Sequence, residues 1–258
     1  MISEVIATEF AKLRRSAPPW ATLAAVLFAV LGIALLIWIV RDPERAASLG
    51  LLGTKANLAG LEATWPAYGA YLSVVAGAGG LILLAFIVAF LFGREYADAT
   101  AKNLLALPVP RAWFVLAKLV VAAAWWLVLL IALLIAGFAI GAVLDLPGFT
   151  PAVALKIVGD TLLGGAISFL LAPIAAWITI ATRSYLAALG FALGMLLVGN
   201  LLGHTGWAVW FPWSIVPLLT GMSGDAVALP WGSYLVVALT FVAGIGGTVL
   251  QLKYADNP

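Results

Sequence analysis

The sequence predicts an all-α membrane protein with six transmembrane helices, and two observations support this fold class. Hydrophobic residues make up 65% of the 258 residues and charged residues only 9%, with a mean hydropathy of +1.16. A water-soluble domain of this length could not bury so much apolar surface, and the remainder would form large exposed patches. The apolar residues also fall into long uncharged stretches, as transmembrane helices require.

Each of these stretches has roughly 20 residues or more, the length that crosses about 30 Å of hydrocarbon. They lie at residues 16–40, 68–92, 119–144, 161–182, 184–203 and 226–250. A seventh apolar segment, residues 205–224, contains Pro212 and Pro217 and three tryptophans. This composition predicts a re-entrant or interfacial segment before the sixth span. We interpret the whole chain, residues 1–258, as one transmembrane domain.

The N-terminal residues 1–15 predict an interfacial helix. Their apolar side chains are spaced so that they form one stripe along a helix, from which Glu9 and Lys12 point away. Pro18 and Pro19 then turn the chain into the membrane. The stripe consists of Ile2, Val5, Ile6, Phe10 and Leu13.

Pairs of glycines four residues apart predict close contacts between helix backbones, because each pair leaves a bare strip on its helix. The spacing does not distinguish packing within the chain from packing against another chain. The pairs are Gly137 with Gly141, Gly190 with Gly194, and Gly199 with Gly203.

The distribution of basic residues predicts the orientation, since Lys and Arg in short loops are retained on the cytoplasmic side. With the N-terminus inside, the outer loops hold only Arg41, Arg45, Lys55 and Lys156. We therefore predict a multi-pass protein of the cell membrane (plasma or inner), with both termini cytoplasmic and lipids as neighbours. The inner segments hold Lys12, Arg14, Arg15, Arg94, Lys102, Arg111, Lys118, Arg183 and Lys253.

The link between the second and third spans carries the most information. Residues 93–118 read GREYADATAKNLLALPVPRAWFVLAK, which is too charged for lipid and too regular for a slack loop. Glu95, Asp98 and Lys102 can share one side of a short helix. An apolar end follows at residues 104–107, and prolines then stop the helix. A short helix with a polar flank and an apolar tip is typical of a docking element, which we place at residues 93–112.

This link resembles the pattern that permease subunits of type-two ABC transporters carry after their second span, particularly the bacitracin-resistance and lantibiotic-immunity permeases. The resemblance implies a cytoplasmic coupling helix between spans two and three that seats in a separate ATPase subunit. The matching residues are 92–96 (FGREY), Thr100, 102–105 (KNLL), Pro108, Arg111 and 117–118 (AK). The predicted coupling residues are Arg94, Glu95, Asp98, Thr100, Lys102, Asn103, Leu104 and Leu105.

For Glu95 we consider two roles, a contact to the ATPase or a helix-terminal charge that fixes the coupling element. A solvated carboxylate at the membrane surface is the alternative without function. Arg94, Lys102, Arg111 and Lys118 could serve only retention and contact with anionic lipid.

The resemblance further implies two permeases, as copies or as related chains, with two ATPase subunits. The chain has no G-x-x-x-x-G-K-[ST] loop to cradle phosphates, so ATP and magnesium are expected in the partner ATPase. We predict no catalytic residue, metal site or cofactor in this chain, and no nucleic-acid partner. The expected function is ATP-driven export of a hydrophobic or amphipathic cargo, such as a peptide antibiotic or a lipid.

Two other functions are weighed against this one. A stand-alone secondary transporter or channel would need charged residues inside its spans, and the middle of each predicted span has none. An intramembrane serine protease is suggested by residues 221–224 (GMSG), with Ser223 as nucleophile and His204 as the one histidine. His204 precedes Ser223, whereas proteases with this pattern place the histidine on a later span.

Overall fold

The computed structural model describes residues 2–51, 61–98, 110–223 and 227–254. Within them, six helices are long and apolar enough to cross a membrane, which confirms the predicted fold class. We number them span 1 to span 6 in chain order. They are Pro18–Arg41, Trp65–Ala97, Arg111–Val143, Pro151–Thr182, Tyr185–Leu202 and Trp231–Tyr254.

Shorter elements connect these spans. The N-terminal helix, Ile2–Arg14, precedes span 1, and a six-residue helix, Pro43–Ser48, follows it. Between spans 5 and 6 lie a 3₁₀ turn, Ala208–Trp210, and the short helix Pro212–Thr220. Nine helical residues extend only about 14 Å, less than the hydrocarbon thickness, so this segment does not span by itself.

An even number of spans places the N-terminal helix and the end of span 6 at the same end of the bundle. We call this the terminal end. It also holds the end of span 2, the start of span 3 and the turn between spans 4 and 5.

Two spans begin at least two helical turns earlier than the apolar pattern predicts. Span 3 starts at Arg111 instead of residue 119, and span 4 at Pro151 instead of residue 161. The extra turns contain charged residues that the hydropathy pattern excludes. Lys118 is buried among ion-pair partners, and Lys156 forms an exposed ion pair with Asp160 at 2.6 Å. The hydropathy pattern identifies only the part of a helix that can face lipid. The helix itself extends further, through charged residues that are paired or exposed.

Span 2 is interrupted by a π-helical turn, Val75–Gly79, between the α-helices Trp65–Val74 and Gly80–Ala97. The hydroxyl of Ser168 in span 4 donates to the carbonyl oxygen of Gly77 at 2.7 Å. A Cβ at Gly77 would lie 2.7 Å from the Cγ2 atom of Thr220. The widened turn therefore fits between span 4 and the short helix because Gly77 has no side chain.

Glycines bring span 3 close to the first half of span 2. A Cβ at Gly141 would lie 2.5 Å from the ring of Trp65, and one at Gly137 would lie 2.7 Å from Leu72. The predicted close packing of this pair is confirmed, and it occurs within the chain.

The other two glycine pairs differ from each other. Gly199 lies against the backbone of Trp213, so the short helix closes onto span 5 there, and Gly203 lies beside the turn that follows this helix. A Cβ at Gly190 or Gly194 would meet nothing within 4 Å. The same spacing thus marks close packing inside the chain at two pairs and open surface at the third.

We expect Gly141→Ala to lower the free energy of unfolding by about 1–3 kcal/mol, because the added methyl group overpacks the contact with Trp65. Gly159→Ala is the matched control, since a Cβ there meets nothing within 4 Å and alanine favours the helix. Thermal unfolding of both variants in detergent provides the measurement. Equal melting temperatures for the two variants would contradict this packing.

Candidate functional site

The predicted coupling residues fall partly on regular structure. Arg94 and Glu95 lie in the last two turns of span 2, and Asp98 is the C-cap of that helix. The part of the predicted coupling region that carries Glu95 is therefore a continuation of span 2 rather than the start of a separate short helix. Five of the predicted coupling residues lie outside the described residues: Thr100, Lys102, Asn103, Leu104 and Leu105.

The ammonium group of Lys118 lies at the centre of the terminal end. It donates to Oε1 of Glu95 at 2.7 Å, to Oε2 of Glu9 at 2.8 Å and to the carbonyl oxygen of Leu91 at 2.6 Å. A lysine has three N–H donors, and all three are used here. The residue is only 3% exposed, and these three contacts replace the hydrogen bonds to water that its ammonium group loses on burial.

A second lysine completes the cluster. Nζ of Lys12 lies 2.7 Å from Oε1 of Glu9 and 3.4 Å from Oε1 of Glu95. Two lysines and two glutamates make the group electrically neutral, and both carboxylates are at least nine-tenths buried. Removing one member of such a group leaves an uncompensated buried charge, which costs more than the intact pair contributes. We call these four residues the ionic cluster.

The charges within the ionic cluster keep Glu9 and Lys12, its two members on the N-terminal helix, ionised. Burial by itself would raise the pKa of Glu9, but Lys118 and Lys12 outweigh it, and the pKa lies below the ordinary 4.5. Burial would lower the pKa of Lys12, but Glu9 and Glu95 outweigh it and raise the pKa above 10.5. Both residues therefore stay ionised throughout the neutral range.

Two arginines flank the undescribed residues 99–109, and each caps another helix. Nη1 of Arg94 donates to the carbonyl oxygen of Lys12 at 3.3 Å, near the end of the N-terminal helix. Nη1 of Arg111 donates to the carbonyl oxygen of Leu252, near the end of span 6. The last four carbonyls of a helix have no partner within the helix, and a cation there also complements the helix dipole. The helices on both sides of residues 99–109 are thus fastened to the ends of other helices.

The turn between spans 4 and 5 also contacts the end of span 2. A Cβ at Gly93 would lie 2.6 Å from the ring of Tyr185, so only glycine fits at this crossing. The guanidinium of Arg183 lies 5.9 Å from the ring centroid of Tyr96. The end of span 2 is therefore in contact with the N-terminal helix, the start of span 3 and the start of span 5.

The sequence did not reveal that Glu9 and Lys12 belong to this site. Glu9 was expected to point away from the buried stripe, but it is 3% exposed, whereas Phe10, expected on the stripe, is 45% exposed. The available signal was Lys118, a lysine at the edge of a long apolar stretch. Such a lysine requires an anionic partner. Glu95 is one such partner, and Lys118 pairs with Glu9 as well.

The geometry at Ser223 does not favour a serine nucleophile. Its hydroxyl donates to Oδ1 of Asn200 at 2.9 Å. A nucleophilic serine would instead share its proton with a general base such as the imidazole of His204. The contact joins span 5 to the turn after the short helix.

We expect Glu9→Gln to lower the free energy of unfolding at pH 7 by about 2 kcal/mol, the contribution of a hydrogen bond to a charged group. Because the pKa of Glu9 is lowered, this stabilisation is present above pH 4.5 and is lost as the pH falls through the lowered pKa. The difference in melting temperature between wild type and Glu9→Gln should therefore persist from pH 7 to pH 5 and shrink below pH 4.5. A difference that closes between pH 7 and pH 5 would contradict the ion pairing.

Comparison with known proteins places the site in a family. A family model described as ABC-2 family transporter protein matches residues 5–199. A bacitracin transport permease protein of Bacillus licheniformis is 29% identical over 177 residues, which cover 69% of this chain and 85% of the relative. The family match includes the whole ionic cluster and residues 92–118, which carry the resemblance to these permeases. The chain therefore belongs to the ABC-2 family of transporter proteins, as a membrane permease subunit.

Proposed function

We propose that this chain is the membrane subunit of an ATP-driven exporter and that a separate ATPase subunit binds residues 93–112. The observation that carries the proposal is the fixing of both flanks of this region. Near the start of residues 93–112, Glu95 is paired with Lys118, and near their end, Arg111 binds the end of span 6. A segment that receives force from another protein needs such anchors, because a loose tether would absorb the displacement.

In this proposal Glu95 acts by fixing the coupling element, the second of its two expected roles. Its side chain is 8% exposed and paired with Lys118, so little of it is available to a partner protein. The direct contacts to the ATPase then come from the residues beyond it, including Leu104 and Leu105. ATP and magnesium are bound by the ATPase subunit.

The cargo in this proposal is a hydrophobic or amphipathic molecule, for which a peptide antibiotic is the leading candidate. The relative in Bacillus licheniformis is a bacitracin transport permease, which supports this class. Two permeases, as copies or related chains, would enclose the pathway in the cell membrane. The excess of basic residues at the terminal end favours an orientation with both termini in the cytoplasm.

The partner is tested by purifying the tagged permease from its native host in mild detergent and determining whether an ABC ATPase subunit co-purifies with it. We expect the ATPase to remain bound in detergent, and the double variant Leu104→Ala/Leu105→Ala to weaken binding by at least about tenfold, as truncation of central apolar contacts does.

Leu155→Ala is the matched control, since Leu155 is a 74% exposed leucine at the opposite end of the bundle. The control should bind the ATPase as wild type does. Equal binding by the double variant, at equal amounts of folded protein, would rule out residues 93–112 as the ATPase site.

A further inference from the structure

The N-terminal helix shares its anchor with the coupling region. One ammonium group, that of Lys118, binds Glu95 at the end of span 2 and Glu9 on the N-terminal helix at distances of 2.7 and 2.8 Å. All three side chains are at least nine-tenths buried. If either carboxylate left alone, the buried group would keep an uncompensated positive charge.

Two further contacts join the same elements. Lys12 of the N-terminal helix lies within 3.4 Å of Glu95, and Arg94 donates to the carbonyl oxygen of Lys12. The N-terminal helix and the end of span 2 are thus linked by side chains in both directions. A displacement of one element must carry the other with it or break a buried ion pair.

The N-terminal helix is in turn connected to span 1 by only three residues. Leu13, in its last turn, is 2% exposed, and the hydroxyl of Ser16 donates to the carbonyl oxygen of Leu13 at 2.6 Å. Span 1 begins at Pro18. Because this three-residue link is short and hydrogen-bonded, a movement of the N-terminal helix displaces the start of span 1 as well.

We infer that the N-terminal helix is a moving part of the coupling device, and that Glu9 and Lys118 are positioning residues that make it follow the end of span 2. This inference rests on the proposed function, because the displacement enters from the ATPase at residues 93–112. Glu9 touches neither ATP nor cargo. It acts by joining span 1 to the coupling region through Lys118.

The test uses two fluorescent labels on the complex of full-length permease and ATPase. The chain has no cysteine, so Phe10→Cys and Ala97→Cys each provide a single attachment site. Phe10 is 45% exposed on the N-terminal helix, and Ala97 is an exposed residue at the end of span 2. We expect ATP with vanadate to change the emission of both labels.

In the Glu9→Gln background we expect the label at Ala97 to respond as before and most of the response at Phe10 to be lost, because the N-terminal helix is then held less firmly to the end of span 2. Lys12→Met, which removes a partly exposed member of the cluster, should give a smaller loss. Lys156→Met, from the exposed pair at the opposite end, is the matched control and should change neither response.

The outcomes separate this inference from the proposed function. A label at Phe10 that stays silent while the label at Ala97 responds would overturn the inference and leave the proposed function standing. Responses at Phe10 that survive Glu9→Gln and Lys12→Met would show that the ionic cluster does not transmit the movement. If the ATPase does not bind at all, the proposed function fails, and the inference fails with it.

Discussion

The ammonium group of Lys118 is the contact on which the terminal end of the bundle depends. It joins the N-terminal helix, which is distant in sequence, to two consecutive elements, the end of span 2 and the start of span 3. A buried charge is tolerated when every donor is satisfied and the surrounding charges cancel, and both conditions hold here. Because the partners come from different helices, the same contact that neutralises the lysine also fixes the point at which the chain leaves span 2.

Elsewhere in the bundle, glycines let side chains of neighbouring helices approach closely, as expected where lipid gives little hydrophobic drive for helix association. Gly141 admits the ring of Trp65, and Gly77 admits the short helix before span 6. These contacts lie away from the ionic cluster, toward the opposite end of span 2. Glycine contacts thus occur along span 2 and include Gly93 at its end, whereas the ionic cluster acts only at that end.

Most of the fold could be predicted from the sequence, because six long apolar stretches have few structural alternatives. Helix ends were less predictable. Lys118 and Lys156 interrupt the apolar pattern, but a helix continues through a charge that is paired or exposed. The π-helical turn at Val75–Gly79 left no distinct signal, since glycines are common throughout the chain. The candidate site was predicted in part, because local spacing identifies neighbours on one helix but not Glu9 as the partner of a lysine 109 positions away.

Amide hydrogen exchange of Lys118→Met tests most directly whether Lys118 holds the N-terminal helix and the end of span 2 together. Methionine keeps much of the length of the side chain and removes the charge. We expect exchange to rise by at least about tenfold in both Ile2–Arg14 and residues 91–98, because a broken buried pair costs about 3–5 kcal/mol. Unchanged exchange in either segment, in a variant that stays folded, would contradict the shared anchor.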